Sequence, residues 1–215
     1  TLNGVDALLS GTGWASSLEH DARFAAQARG IETIAVIDHW VNYRERFVRN
    51  GKTVLPDRIF VTDEHAELEA QRCFPGLPVF RYTNVYLAEI ARSIQPLDDQ
   101  VNDVLYVLEP IRADWSDGHP GEFEALDFFA SNLQRIVGNA RYRLRLRPHP
   151  SDPPGKYDEW IARHRELYAE LDDSKTLAEA IGRARWVVGA ETFAMVVALA
   201  AGRKVVSTLP PWAHR

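Results

Sequence analysis

The sequence predicts an α/β chain of two parallel-sheet units facing across a cleft, and three observations predict it. Short apolar runs of strand length alternate with longer stretches of helical period along the whole chain. The first pair of runs, Val5 to Leu9 and Thr33 to Ile37, brackets a glycine turn and a helical stretch, which makes a βαβ unit with a right-handed crossover. At Ser93 to Asn102, SIQPLDDQVN, periodicity stops and then restarts, which marks a linker between domains at 1–95 and 103–215.

Size and composition bound the rest. A chain of 215 residues suits one large domain or two small ones, and 46% hydrophobic with 26% charged residues is ordinary for a globular protein. A net charge of −5 argues against a nucleic-acid binder. Cys73 is the single cysteine, so neither a disulfide framework nor a cysteine-rich metal site is expected. No apolar run is long enough for a membrane span and no signal peptide opens the chain, which predicts a cytoplasmic protein. The abrupt start and end are those expected of a fragment of something longer.

In order, Val5 to Leu9 runs into Ser10-Gly11-Thr12-Gly13, and Ala15 to Arg29 reads as a helix with Leu18, Ala22, Ala25, Ala26 and Arg29 in period, capped at Ser16 or Ser17 and ended by Gly30. The turn resembles a phosphate cradle, but it lacks the dinucleotide spacing and the Walker lysine. Thr33 to Ile37 is a buried strand ending at Asp38-His39. Asn42 to Asn50 reads as a charged surface helix or loop. Arg58 to Val61 is a strand, Asp63 to Cys73 an acidic helix, Val79 to Tyr82 a strand and Asn84 to Ile94 a helix. Beyond the linker, Asp103 to Leu108 is a strand leading into Glu109, and Ile111 to Gly121 a long loop. Glu122 to Val137 is amphipathic, with Phe123, Leu126, Phe129, Leu133 and Ile136 inward. A helix around Tyr157 to His164, a strand around Leu167 to Leu171, a helix at Thr176 to Ala184, a strand at Trp186 to Gly189, an apolar helix at Phe193 to Ala201 and a strand at Lys204 to Ser207 complete the alternation.

Chemistry concentrates in YRLRLRPHPS, Tyr142 to Ser151. Its period-2 part is a strand, and Pro148 and Pro150 stop the ladder because proline has no N–H to donate. That leaves Arg147, His149 and Ser151 at a carboxyl strand end, where open α/β sheets bind ligands. A guanidinium, an imidazole and a hydroxyl there suit an anion. A helix opening at Glu191-Thr192 after small residues offers free N–H groups to the same kind of group.

Three segments of the second half carry a resemblance: His149-Pro150 inside RLRPHPS, LDDSKTLAEAIGRARWVVGAET (Leu171 to Thr192), and ALAAGRKVV (Ala198 to Val206). Together they resemble the nucleotide-sugar-binding domain of GT-B glycosyltransferases and sugar-nucleotide 2-epimerases, most of all bacterial surface-polysaccharide transferases of sialyltransferase-like or capsule type. The resemblance implies two Rossmann-like domains, a nucleotide-sugar donor of CMP or UDP type, and a glycan or lipid-linked acceptor, with peripheral membrane contact compatible. It implies no cofactor and no metal, since helix N-termini and basic groups carry the leaving phosphate's charge. Arg147, His149, Ser151, Glu191 and Thr192, with Glu109 and the turn glycines Gly11 and Gly13, would bind the donor. One departure stands out: where many relatives carry an acidic, ribose-binding residue, this chain has Val197. That moves the contact, for instance to Glu191, and weighs against a UDP-type donor.

Family members bring the catalytic base from the first domain. Asp38 and His39 are the first candidates here, Glu19 a lesser one, and Glu109, Asp114 and His119 lower still. Each has a plainer role open to it: Asp38 as a cap, His39 as a satisfied histidine, Glu19 as a solvated helix charge. The histidines fall too far apart for an HxH or HxxxH metal pair, and no GxSxG elbow is present. The functions expected are therefore inverting sugar transfer, an epimerase or hydrolase on the same scaffold, or a non-catalytic binding domain that keeps it.

Overall fold

A computed structural model describes residues 2–13, 16–98, 100–110, 114–116 and 119–213. The chain divides into two compact units, Thr1–Val85 and Tyr86–Arg215.

The first unit is a parallel sheet of β1 (Ala7–Ser10), β2 (Glu32–Ile37), β5 (Arg58–Val61) and β6 (Val79–Arg81), side by side in that order. Between β2 and β5 lie a 3₁₀ turn (Glu45–Phe47) and a hairpin of β3 (Val48–Arg49) and β4 (Lys52–Thr53). The strands advance across the sheet in one direction, and right-handed crossovers then put every connection on one face. Ala35, Ile37, Ile59 and Val61 point to that face and pack with Tyr43, Phe47 and, from α2 (Glu64–Cys73), Ala66 and Ala70. Asp63 caps α2 by accepting the Ala66 N–H at 2.8 Å. On the other face Phe60 and Phe80 stack at 5.5 Å with Tyr82 beside them, and Leu9 is 67% exposed.

Two readings of this unit need correction. Asn42 to Asn50 is not a surface segment: Tyr43, Arg46 and Phe47 are buried, and Asn50-Gly51 is a hairpin turn with both residues at positive φ. In α1 (Leu18–Gln27) the buried face is His20, Arg23 and Ala26, while Leu18 points to solvent. Polar side chains sit inward because they bond the strand ends: His20 Nε2 meets the Lys52 carbonyl, and Arg23 donates to Ser10 Oγ and the Gly11 carbonyl.

The second unit holds a five-stranded parallel sheet in the order β11 (Ala169–Leu171), β10 (Arg143–Arg147), β7 (Asp103–Val107), β12 (Trp186–Gly189), β13 (Lys204–Ser207). Here both faces are covered. Val104, Tyr106, Leu144, Leu146 and Val188 pack against α4 (Gly121–Val137) and α5 (Asp158–Arg163). Leu105, Val107 and Val187 pack against α6 (Leu177–Gly182) and α7 (Phe193–Ala200), joined by Leu87 and Ile90 of α3 (Val85–Ser93). Each fully buried apolar side chain contributes about 1.5 to 3 kcal/mol. A short hairpin of β8 (Asp114–Ser116) and β9 (His119–Pro120) precedes α4. The rest of the Ile111–Gly121 loop up to residue 118, with the side chains of Asp114 and His119, lies outside the described residues. No helix among the described residues is long and apolar enough to cross a membrane.

Candidate functional site

From β7 the second sheet grows to one side through β10 and β11, then crosses to the other side at β12. The crevice at that reversal, outside the carboxyl ends of β7 and β12, is where open parallel sheets hold ligands. Glu109, just past β7, fills it. Its Oε1 accepts the N–H groups of Ala190 at 3.1 Å and Glu191 at 2.7 Å. The loop between β12 and α7 therefore already has an anion on its N–H groups, and that anion belongs to the chain itself. Gly189 makes the approach feasible, since a Cβ there would lie 2.9 Å from Val107 Cγ2 and 3.0 Å from its carbonyl. Thr192 caps α7, its Oγ1 accepting the Ala194 N–H at 3.3 Å.

Burial pushes the Glu109 carboxyl above its usual range, more than the N–H groups of Glu191 and Ala190 pull it down. A carboxyl raised in the fold binds its proton more tightly there than in the unfolded chain. It favours folding below its ordinary pKa and opposes it as pH climbs from the unfolded value to the folded one. Glu109→Gln is neutral throughout and keeps an acceptor for the two N–H groups. It should be more stable than wild type at neutral pH, with the gap closing below about pH 4; chemical denaturation across that range reads it.

Arg147 is the last residue of β10 rather than a residue beyond it, and it does not stand alone. Its Nη1 donates to Asp172 Oδ2 at 2.6 Å and to the Ser174 carbonyl at 3.1 Å. The side chain of Asp172 is fully buried and also pairs with Arg145, which is 1% exposed and bonds Asp103 and the Ala180 carbonyl as well. Two arginines of the YRLRLR run thus share one carboxylate. Among the described residues only Nη1 of Arg147 finds partners, and its side chain is 22% exposed, so Nε and Nη2 keep donors for a ligand.

His149 is exposed at the mouth of the same edge. Its Nδ1 lies 3.1 Å from the Ser151 backbone N–H and 2.7 Å from Ser151 Oγ. A backbone N–H can only donate, so Nδ1 accepts and the bonding network places the proton on Nε2. Ser151 thereby orients His149 instead of facing outward itself. Beneath, the nearly buried Asp152 accepts the His149 N–H at 3.0 Å, the Tyr157 hydroxyl at 3.0 Å and Lys156 Nζ at 2.7 Å. Sequence reasoning missed Asp152, although an aspartate whose side chain bonds nearby backbone is a common turn device, here three residues after a proline-flanked histidine. Val197 is fully buried in the core around α7.

In the first unit, Asp38 and His39 follow β2 and are both exposed, with Oδ1 and Nε2 3.9 Å apart. Among the described residues no three histidine, cysteine or acidic side chains gather as a metal site. Gly11 and Gly13 follow β1 at the corresponding edge, and the Gly13 N–H donates to Glu19 Oε2 at 2.6 Å. Glu19 is therefore turned in over the glycines and is not a solvated helix charge.

No family model and no curated protein matches the chain. Among solved structures it is similar to apo UGT2 of Phytolacca americana, at 14% identity and a TM-score of 0.45, over 94% of this chain and 58% of that one. The chain thus spans less than two thirds of that protein's length. It is also similar to KpsC of Thermosulfurimonas dismutans, a beta Kdo 2,7 transferase, at 14% identity and a TM-score of 0.40, over 96% of this chain and 80% of that one. ADP-heptose LPS heptosyltransferase II of E. coli stands at 12% identity and a TM-score of 0.33, over 94% and 84%.

Proposed function

We propose that the chain is the catalytic or donor-binding part of a glycosyltransferase that takes its sugar from a nucleotide-activated donor. The observation that carries the reading is the carboxyl edge of the second sheet: Arg147 with unused donors, His149 with an outward Nε2–H, and Glu109 and Thr192 at the sheet's reversal. In this reading Arg147 and His149 hold the donor phosphate, with Ser151 and Asp152 fixing the imidazole. Thr192 and the start of α7 add their N–H end. Glu109 and Glu191 take hydroxyls of the ribose or sugar, the task that Val197 leaves open. The acceptor hydroxyl attacks the anomeric carbon as the bond to the donor phosphate breaks and the nucleotide departs with the electron pair. Asp38 or His39 takes the acceptor's proton, and configuration inverts. The RPHP strand favours a bacterial surface-polysaccharide or other glycan acceptor, handled on the cytoplasmic side.

Ligand-induced stabilisation tests this directly. A panel of CMP-, UDP- and GDP-sugars is screened by thermal unfolding, where a nucleotide at about one hundred times its Kd adds about 2.7 kcal/mol. One class should raise the Tm, and His149→Ala should diminish that rise while leaving the Tm of the unliganded protein in place. A panel that shifts nothing overturns the reading.

A further inference from the structure

The α4 face of the second sheet is not covered to its edge. Because α4 connects β7 to β10, it lies over those two strands, and the helices leading into β12 and β13, α6 and α7, pack on the opposite face. The edge strand β13 therefore has no helix of its own on the α4 side. In its place runs a groove of about 550 Å³ between α4 and β13. Lys204 pairs in register with Trp186 and Val206 with Val188, and the two-residue period of a strand turns both Lys204 and Val206 to this face.

Phe128 and Ile136 of α4 face Trp186 and Val206 across the groove and make its apolar body. Two cations lie together at one end. Lys204 opens β13, and a helix joining two parallel strands runs back against them, so Arg135 in the last turn of α4 also comes to the amino edge of the sheet. Among the described residues neither is ion-paired: Arg135 Nη1 donates to the neutral Asn132 Oδ1 at 3.2 Å, and Lys204 Nζ stands 5.5 Å from the centre of the Trp186 ring. The other end carries the opposite charge. Phe128 meets Trp212 edge-on at 5.4 Å, and Trp212 Nε1 donates to Glu124 Oε2 at 3.0 Å. From Phe128 to Ile136 the helix rises about 12 Å, which is the length between the two ends.

We propose that this groove binds an elongated single-chain amphiphile with an anionic head, the head between Arg135 and Lys204 and the chain along Ile136, Trp186 and Val206 towards Phe128. The class follows from the lining. A small polar anion would leave the apolar body wet, whereas an apolar chain removes it from water. A cationic head would be repelled by Arg135 and Lys204, and an anionic head at the Phe128 end would meet Glu124. A second copy of the chain joined edge to edge would bring one Lys204 and Arg135 pair towards another, which weighs against self-association. The cations stand at the amino edge of the sheet, opposite the strand ends that carry Arg147 and His149, so the site lies apart from the one read as donor-binding.

Decanoate below its micellar concentration, titrated at constant ionic strength and followed by the backbone amides of Lys204 and Val206 and the indole N–H of Trp186, tests the site. Saturable shifts at these three groups are expected. Octanoate should bind more weakly, by about two- to fourfold for each methylene removed. Acetate and decyltrimethylammonium should leave the three groups unmoved. Arg135→Glu and Lys204→Glu change exposed side chains and should each weaken decanoate about tenfold, the effect of losing a hydrogen bond to a charged group. Lys204→Arg keeps the charge and should bind as wild type does. Arg135→Gln and Lys204→Gln serve where a reversal prevents folding. Shifts that do not saturate, that fall instead on the open face of the first sheet, or that survive the loss of both charges overturn the proposal. No nucleotide takes part, and Arg147 and His149 are unchanged, so the outcome is independent of the donor-binding reading.

Discussion

Asp172→Ala is expected to remove about 3 to 5 kcal/mol of folding stability, because it strands a buried arginine. Arg145 is 1% exposed, and Asp172 is the fully buried carboxylate that it shares with Arg147. Asp103 and the Ala180 carbonyl remain as partners, but Asp103 is at the rim of the unit and the carbonyl carries no charge. Burial alone would raise the Asp172 carboxyl; the bonds from Arg147 and Ser174 and the charge of Arg145 more than reverse this and hold it below the usual range. A carboxylate lowered in the fold contributes stability that is complete above its unfolded pKa of about 4 and is lost as pH falls through the folded value. Urea denaturation at neutral pH should show the full deficit of the variant, and the deficit should shrink as wild type loses the same interaction in acid. A cost below about 1 kcal/mol would mean that Arg145 is balanced by something other than this pair.

Loss of the Arg147 side chain should act chiefly on the ligand. Arg147→Ala is expected to weaken binding of the best nucleotide by about 1.5 to 3 kcal/mol, the value of a hydrogen bond to a charged group. The structure adds a complication absent from the sequence: Arg147 also bonds Asp172 and the Ser174 carbonyl. Arg147→Lys separates the two roles. A lysine can still meet Asp172 as a point charge, but it lacks the planar fork. It should fold about as stably as wild type and still bind the nucleotide more weakly in calorimetry. Wild-type affinity in the lysine and alanine variants alike would end the assignment of Arg147 to the donor.

Legibility followed the physics of each signal. Strands announce themselves as short apolar runs between turns, whether both faces are buried or one, and Arg58–Val61, Trp186–Gly189 and Lys204–Ser207 stand where the pattern placed them. Capping was less regular: Asp63, Thr176 and Thr192 each accept an N–H at a helix start, whereas Ser17, at the start of α1, makes no side-chain cap bond and Ser16 Oγ accepts the Leu18 N–H instead. Polar groups that bond backbone across long sequence separations left no periodic trace. The inward face of α1 was misplaced because Arg23 answers to the Gly11 carbonyl, twelve positions away, and hydrophobic periodicity takes no account of such partners. The Asn50-Gly51 hairpin was legible in principle, but the charged residues around it suggested a surface segment. At the candidate site, sequence placed Arg147, His149, Glu109 and Thr192 on neighbouring strand ends, which is a matter of topology. It gave no hint that Glu109 would lie on the N–H groups of Ala190 and Glu191, because a carboxylate and a phosphate make the same demand of a loop.

The two sheets also differ in how much of themselves they bury. That of the second unit is covered on both faces, whereas in the first unit the helices and the β2–β5 connection share one face, leaving Leu9, Phe80 and Tyr82 in contact with water. A small domain already has little burial with which to offset chain entropy, and a half-covered sheet has less still. Taken by itself, the first unit is expected to be the weaker foldon, with faster amide exchange in its strands than in those of the second.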